Sequence, residues 1–243
     1  MKEKRYYVNS DLNLNQTAIV DGEEFHHLAT VMRTRVGDRV CLFNGNGKFF
    51  FGEVKSISKK QAEVFIDKEE ISILEPKIKL TIYQALAKGD KLSLITQKIT
   101  ELGATTLALF ESEFCDVKGN STKPERLDSI SISAAKQCGR ATMLNIEKPV
   151  KINSLKEKIT NYDAFYVAYE VEDGKTLVDE LLNNKKSLKN IAIMVGAEGG
   201  FSVKEVEMLR ANGATIVSLG NRILRTETAA IACTALAMQI LEN

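Results

Sequence analysis

Between residues 191 and 242, two apolar runs each end at glycines and pass straight into a helix-like run. The first boundary reads Val195-Gly196-Ala197-Glu198-Gly199-Gly200-Phe201-Ser202. The second reads Ser218-Leu219-Gly220-Asn221-Arg222-Ile223-Leu224-Arg225-Thr226-Glu227-Thr228-Ala229-Ala230. A chain that repeats strand, glycine turn and helix is committed to a mostly parallel sheet with helices on both faces, because parallel neighbours need crossover connections. In such sheets ligands sit outside the carboxyl ends of the strands. Glycines at 196, 199 and 200 let a ligand approach the main chain, and a helix starting at Ser202 brings free N–H groups to the same place. We read the two loops as a small-molecule site. Arg225, just before an apolar helix, is costly to bury unless paired or used. It either pairs with Glu198 or Glu227, or recognises an anion, phosphate or base.

The alternation begins at residue 78. Strands are expected over 78–84, 105–110, 164–168, 190–195 and 214–218. Asp90 is placed to cap a helix with Leu92, Ile95, Ile99 and Leu102 on one stripe, stopped by Gly103. Thr122 to Glu125 has capping-box spacing and opens a helix to about Cys138. Ser202 to Glu205 is a second box, with Phe201 and Val206 placed as a hydrophobic staple. Residues 175–183 read as a helix. The last helix, 226–241, is apolar or small all round from Thr228 to Met238. That composition suits burial on every side, or contact with a second copy of the chain.

Residues 1–74 read differently. Five short strand candidates (5–8, 17–20, 39–43, 48–56, 61–67) and one helix (about 23–33) suggest a small β-barrel, with Asn44-Gly45-Asn46-Gly47 as a hairpin turn. Pro76 marks the boundary to a second domain, 75–243. From Arg33 to Lys60 there are seven basic residues against two acids, a plausible phosphate-facing patch or a solvated surface. Net charge over all 243 residues is only +1, which excludes a uniformly basic nucleic-acid binder. The four scattered cysteines and two adjacent histidines favour neither a disulfide framework nor a metal site. No apolar run reaches membrane-span length and the N-terminus lacks a signal-peptide core, so a cytoplasmic location is expected. Gly174-Lys175-Thr176 follows Tyr169 where a phosphate loop requires glycine, and reads as a surface turn.

The two loop motifs, at this spacing, resemble the bacterial 16S rRNA (uracil-N3)-methyltransferase family, the small-subunit methyltransferase E type within the SPOUT knotted methyltransferases. His26-His27-Leu28, Val31-Met32-Arg33, Gly37-Asp38, residues 97–103 and Ala134 to Arg140 extend the resemblance over nearly the whole chain. It implies an N-terminal PUA-like β-barrel that binds RNA and a C-terminal SPOUT α/β domain with a trefoil knot, acting as a homodimer. The cofactor implied is S-adenosyl-L-methionine, with no metal, and the partner is the 16S rRNA of the small ribosomal subunit. Carried onto this chain, the cofactor-binding residues are Tyr169, Gly196, Ala197, Glu198, Gly199, Gly200, Leu219, Gly220, Ile223 and Leu224. Candidate catalytic residues are Arg225, Arg140 and Glu198: a cation near a uracil oxygen, and a proton acceptor or cofactor-positioning carboxylate. RNA-binding candidates are Arg33, Arg35 and Lys48. The chain departs from the family pattern at Ala197 and Asn221 (usually Pro), Phe114 (Arg) and Leu127 (Trp). The rival expectations are a methyltransferase of this fold with another RNA target, and a non-catalytic ribosome-assembly factor.

Overall fold

Two sheets organise the chain, one mixed and one wholly parallel. The computed structural model describes residues 4–119, 124–170 and 174–242. The residues fall into two compact units, Met1–Glu75 with Ala135–Met143, and Pro76–Ala134 with Leu144–Asn243. A contiguous division at 74/75 omits the excursion of residues 135–143 into the first unit.

The first unit carries β1 (Arg5–Tyr7), β2 (Thr17–Asp21), β3 (Arg39–Phe43), β4 (Lys48–Ile57) and β5 (Gln61–Ile71) in the order β1-β3-β4-β5-β2. Neighbouring strands run antiparallel except β1 with β3. The 44–47 turn joins β3 to β4 as expected. β4 and β5 shift register between Phe51 and Gly52 and again between Val54 and Ser56. Such bulges bend a sheet and increase its twist. Among the described residues no ladder joins β1 to β2, so the expected barrel stays an open mixed sheet. The expected helix is a short α1 (Gly22–His26) continued by a π-helical turn, His27–Val31. Tyr6, Leu28, Leu42 and Val64 fill the core without measurable exposure.

Residues 135–143 are anchored in this unit by Glu75, by the Lys136–Glu24 pair and by packing of Ala135 and Ala141 against Cys41, Phe43 and Phe49. The Glu75 carboxylate accepts the Ala141 N–H at 2.6 Å, the Thr142 N–H at 3.1 Å, the Arg140 Nε–H at 3.3 Å and the Thr142 hydroxyl. Burial alone would push this carboxyl up. The Thr142 hydroxyl, the Ala141 N–H and the Arg140 guanidinium outweigh it and hold Glu75 below the usual carboxylate range. Arg140 is only 4% exposed.

The second unit alternates strands and helices. Its strands are β6 (Lys79–Ala85), β7 (Thr106–Glu111), β8 (Asn145–Lys151), β9 (Ala164–Ala168), β10 (Asn190–Val195) and β11 (Thr215–Val217). They pair in the order β11-β9-β10-β6-β7-β8, with every ladder parallel. The strands other than the edge strand β8 are largely apolar because both faces are covered. Helices α2 (Lys91–Leu102), α3 (Pro124–Cys138), α4 (Leu177–Asn184), α5 (Val203–Ala211) and α6 (Thr226–Glu242) connect or cover them. β8 and the 3₁₀ stretch Ile152–Asn161 were not expected from the sequence: β8 is an edge strand with exposed charges and Pro149.

Asp90 stands at the α2 N-cap position but caps nothing with its side chain. The carboxylate turns to Arg126 at 2.8 Å instead. The capping box expected at Thr122 lies outside the described residues. Gly174 and Lys175 lead into α4, where the Thr176 side chain accepts the Asp179 N–H, so this turn is an ordinary helix start. α6 buries Thr226, Ala229, Ala230, Cys233, Thr234, Ala237 and Met238, a stripe at helical spacing, and packs on α2 and α4. Burial pushes the Cys233 thiol up to about 12, so it is an inert small hydrophobe.

Replacing Glu75 with Ala removes a carboxylate partner from the buried Arg140 guanidinium and the acceptor of the Ala141 and Thr142 N–H groups, and should destabilise the protein by about 3 kcal/mol, read as a lowered urea midpoint. The native Glu75 pKa lies below its ordinary 4.5, so its contribution is present above that pH and is lost as pH falls through the native value. The difference between wild type and E75A should therefore shrink on acidification below about 4.5.

Candidate active site

Three parallel strands end side by side, β9 at Ala168, β10 at Val195 and β11 at Val217. The register pairs Ala168 with both Val195 and Val217, so the loops that follow leave the sheet at one level. Between them lies a cleft of about 510 Å³, including its open mouth.

Each loop builds a wall. After β9 come Tyr169 and Glu170; after β10, Gly196, Ala197 and Gly200, then Phe201. After β11 come Leu219, Gly220, Arg222 and Leu224, followed by Thr226 and Ala229 of α6. The β10 wall is a tight turn closed by the Gly200 N–H donating to the Ala197 carbonyl at 3.0 Å. A Cβ on Gly196 would lie 3.2 Å from the Gly200 Cα and carbonyl carbon and 3.2 Å from the Phe201 ring. A side chain here would force these neighbours to give way, which glycine avoids. Phe201 stacks on Phe110, centroids 6.1 Å apart and planes 5° from parallel, a contact worth about 1 kcal/mol. Ser202 and Glu205 form the expected reciprocal capping box, and Glu205 also accepts the Glu113 N–H at 2.7 Å.

The β11 wall exposes its main chain at Gly220 between the side chains of Leu219, Arg222 and Leu224. Gly220 adopts φ 101°, and a Cβ there would meet nothing within 4 Å. The Ser218 hydroxyl oxygen accepts the Gly220 N–H at 3.1 Å and fixes the turn. The Thr226 hydroxyl donates to the Gly196 carbonyl at 2.6 Å and joins this wall to the β10 wall. Glu170 brings negative charge: its Oε1 would lie 3.0 Å from a Cβ on Gly200.

The structure therefore gathers Tyr169, Gly196, Ala197, Gly200, Leu219, Gly220 and Leu224 around one cleft. Glu198, Gly199 and Ile223 stand off its lining. Glu198 is held by Lys91 Nζ at 2.6 Å and by the Lys88 N–H at 3.2 Å. Burial acts to raise the Glu198 pKa. The Lys91 ammonium and backbone N–H groups outweigh it and keep this carboxyl below the usual range. Gly199 lies against Phe114, whose Cβ would be 2.8 Å from an added Cβ, and Ile223 is 86% exposed. Arg225 is exposed, and among the described residues no acid pairs with it: Glu198 is taken by Lys91, which also lies 4.0 Å from Glu227.

Arg140 is the clearest departure. It belongs to the first unit and is buried against Glu75 and the Thr142 hydroxyl, so its charge is already used. In the same unit Arg33 and Arg35 are exposed and, among the described residues, carry no ion pair, whereas Lys48 pairs with Glu69 at 3.1 Å. Arg39 and Lys55 are paired with Asp67 and Glu53. The basic excess counted from Arg33 to Lys60 is thus partly cancelled by acids of β5 that the window left out. Sequence reasoning also missed the Thr226 hydroxyl and Gln84 behind it. The only available signal was a polar residue closing an apolar strand. Among the described residues there is no group of three or more His, Cys, Asp or Glu suited to a metal ion, and no helix is long and apolar enough to cross a membrane.

A parallel α/β unit with a cleft at three strand-end loops, following a small mixed sheet in the chain, is the architecture of a two-part protein with a small-molecule site in its second part. The RNA methyltransferase domain model matches residues 74–238, and the RNA methyltransferase PUA domain model matches residues 20–67. The ribosomal RNA small subunit methyltransferase E of Rickettsia conorii is 34% identical over 237 residues, covering 97% of this chain and 95% of its own. That of Bacillus subtilis is 31% identical over 236 residues, covering 93% and 92%. The crystal structure of the Neisseria gonorrhoeae protein of the same name, bound to S-adenosylmethionine, superposes with a TM-score of 0.88 at 31% identity, covering 98% of this chain and 97% of that one. The chain belongs to the ribosomal RNA small subunit methyltransferase E family.

Gly196→Ala tests the geometry of the cleft. The added methyl must displace Gly200 or Phe201, so the variant should lose about 1–3 kcal/mol in urea unfolding. An unchanged midpoint would contradict the close turn.

Proposed function

We propose that this chain methylates N3 of a uridine in 16S rRNA of the small ribosomal subunit, using S-adenosyl-L-methionine, as a cytoplasmic homodimer. The observation that carries the reading is the cleft at the ends of β9, β10 and β11, walled by the two motifs that define the family resemblance.

The residues present suit such a cofactor. Val195, Phe201, Leu219, Leu224 and Ala229 offer apolar walls for a purine ring, and the uncovered main chain at Gly220 offers polar atoms to its edge. Glu170 and Arg222 give the cleft one carboxylate and one guanidinium, the complements of an amino-acid end and a cationic sulfur. When bound, the cofactor supplies an electrophilic methyl group on a sulfonium. Gly199 and Ile223 then act indirectly, by seating the turn and by covering the mouth. We assign Glu198 to loop positioning over proton transfer, because its Oε1 is held by Lys91 and the Lys88 N–H and the side chain stands off the cleft lining.

Uracil N3 carries a proton in the free base and is hidden in base pairing, so the target must be turned out of its stack and must lose that proton. The charge left behind spreads onto the ring oxygens. Arg225, exposed and unpaired among the described residues between two cleft-lining neighbours, is the cation we assign to it. Arg140 was the second choice, and its engagement with Glu75 weakens that assignment. Residues 1–74 form the RNA-binding part of this reading. Arg33 and Arg35 are better placed for phosphate than Lys48, whose charge is shared with Glu69. The half-buried face of α6, with Ile231, Ala232, Ala235, Leu236 and Ile240, is the surface we assign to the second copy. The trefoil knot that the family resemblance implies belongs to this proposal as well.

Calorimetric titration of the full chain with S-adenosylmethionine should show saturable binding, and absence of binding would remove the reading. Arg225→Ala should lower kcat by about 10²–10³-fold. Its cofactor affinity should stay within about threefold of wild type, since Arg225 lies off the cleft lining. Equal turnover would overturn its assignment. Reversing charge at Arg33 and Arg35 should weaken RNA binding and lower the salt-dependence slope by about 1–2; an unchanged slope would mark these arginines as plain solvated surface.

A further inference from the structure

Gln84 is wholly buried near the end of β6, and it does not line the cleft. Its Nε2 donates to the Ala85 carbonyl at 2.9 Å and to the Thr226 hydroxyl oxygen at 2.9 Å. A carbonyl can only accept, so the amide nitrogen must lie on that side. The Thr226 oxygen is then an acceptor from Gln84, and its single proton is left for the Gly196 carbonyl at 2.6 Å. The series of bonds has one direction, from Gln84 through Thr226 to Gly196. Its last two members line opposite walls of the cleft.

The amide is expensive where it stands. Gln84 Oε1 is buried and, among the described residues, has no hydrogen-bond partner. Its strand neighbours Leu80, Ile82 and Ala85 are apolar and equally buried. An apolar side chain would avoid the unmatched acceptor, so the amide contributes only through its donor end. A second contact from the same β6–α2 region reaches the same wall: Lys91, the first residue of α2, holds Glu198 at 2.6 Å.

We propose that Gln84 and Thr226 are positioning residues for methyl transfer, holding the Gly196–Gly200 wall at the spacing from α6 that the cofactor requires. The proposal rests on the reading of the cleft as an S-adenosylmethionine site. Neither residue has a role in the chemical step. Thr226 acts by orienting the Gly196 carbonyl, and Gln84 acts by orienting the Thr226 hydroxyl.

The test compares Thr226→Val, which keeps the shape and removes the hydroxyl, with Thr226→Ser, which keeps the hydroxyl. S-adenosylhomocysteine binding is measured by calorimetry, and amide hydrogen exchange is followed over residues 195–201. In T226V the affinity should fall about tenfold or more, the KM for S-adenosylmethionine should rise more than kcat falls, and exchange over 195–201 should quicken. T226S should restore all three. Binding and exchange within twofold of wild type in T226V, or T226S as impaired as T226V, would overturn the proposal. If T226V does not fold, Gln84→Met is read in its place, and wild-type binding and exchange in that variant are equally contrary. If wild type itself fails to bind S-adenosylhomocysteine, the cofactor reading falls. The tether is then decided by exchange alone, which must still quicken in T226V.

Discussion

The hydrogen bond from the Thr226 hydroxyl to the Gly196 carbonyl is the point on which the cleft depends. Parallel strands deliver loops to one edge of a sheet but do not fix the distances between those loops. Here the β10 turn could open, since glycines at 196, 199 and 200 cost it little to move. The bond ties that turn to the first residue of a long helix packed on α2 and α4, and so gives a flexible segment the rigidity of the core. Phe201 on Phe110 and the Ser202–Glu205 box secure the other end of the same turn. The β10 wall is thus mobile in its backbone chemistry and fixed by its attachments. That combination suits a site that must approach a ligand with main chain and still keep its shape.

Charge is distributed with the same economy. Several cations that look available in the sequence are already engaged: Arg140 by Glu75, Lys91 by Glu198, Lys48 by Glu69 and Arg39 by Asp67. The exposed pairs among these, unlike buried Arg140–Glu75, contribute little to stability, but all of them decide which cations remain for a polyanionic partner. Arg225 and Arg222 remain near the cleft, and Arg33 and Arg35 remain on the small sheet unit.

Much of this was legible in the sequence where local rules and tertiary needs agreed. The apolar runs of β9 and β10, the 44–47 hairpin and the Ser202 capping box all formed as periodicity and turn chemistry predict, while α6, apolar or small all round in sequence, buries one stripe. The loops around Tyr169, Gly196 and Gly220 converged because parallel order forces strand ends together. What escaped was set by partners distant in the chain. Asp90 gave up its helix cap to Arg126, 36 positions away. Glu198 found Lys91 at a separation of 107, and Gln84 found Thr226 at 142. β8 was hidden by Pro149 and by edge exposure, and residues 135–143 joined the first unit through partners distant in the chain, Glu75, Glu24 and Arg5 among them. A polar residue inside an apolar strand is the one sequence signal that pointed to Gln84.

The central claim is that the cleft and its neighbouring cation serve methyl transfer to a uracil ring nitrogen. The most direct measurement incubates assembled small subunits and naked 16S rRNA, both from cells lacking this enzyme, with the full chain and isotopically labelled S-adenosylmethionine. Nucleoside mass spectrometry then identifies the modified base. The account predicts labelled 3-methyluridine as the single new product. Label on another base, on another atom of uridine or on ribose, or no label in either substrate while the cofactor is bound, would contradict it.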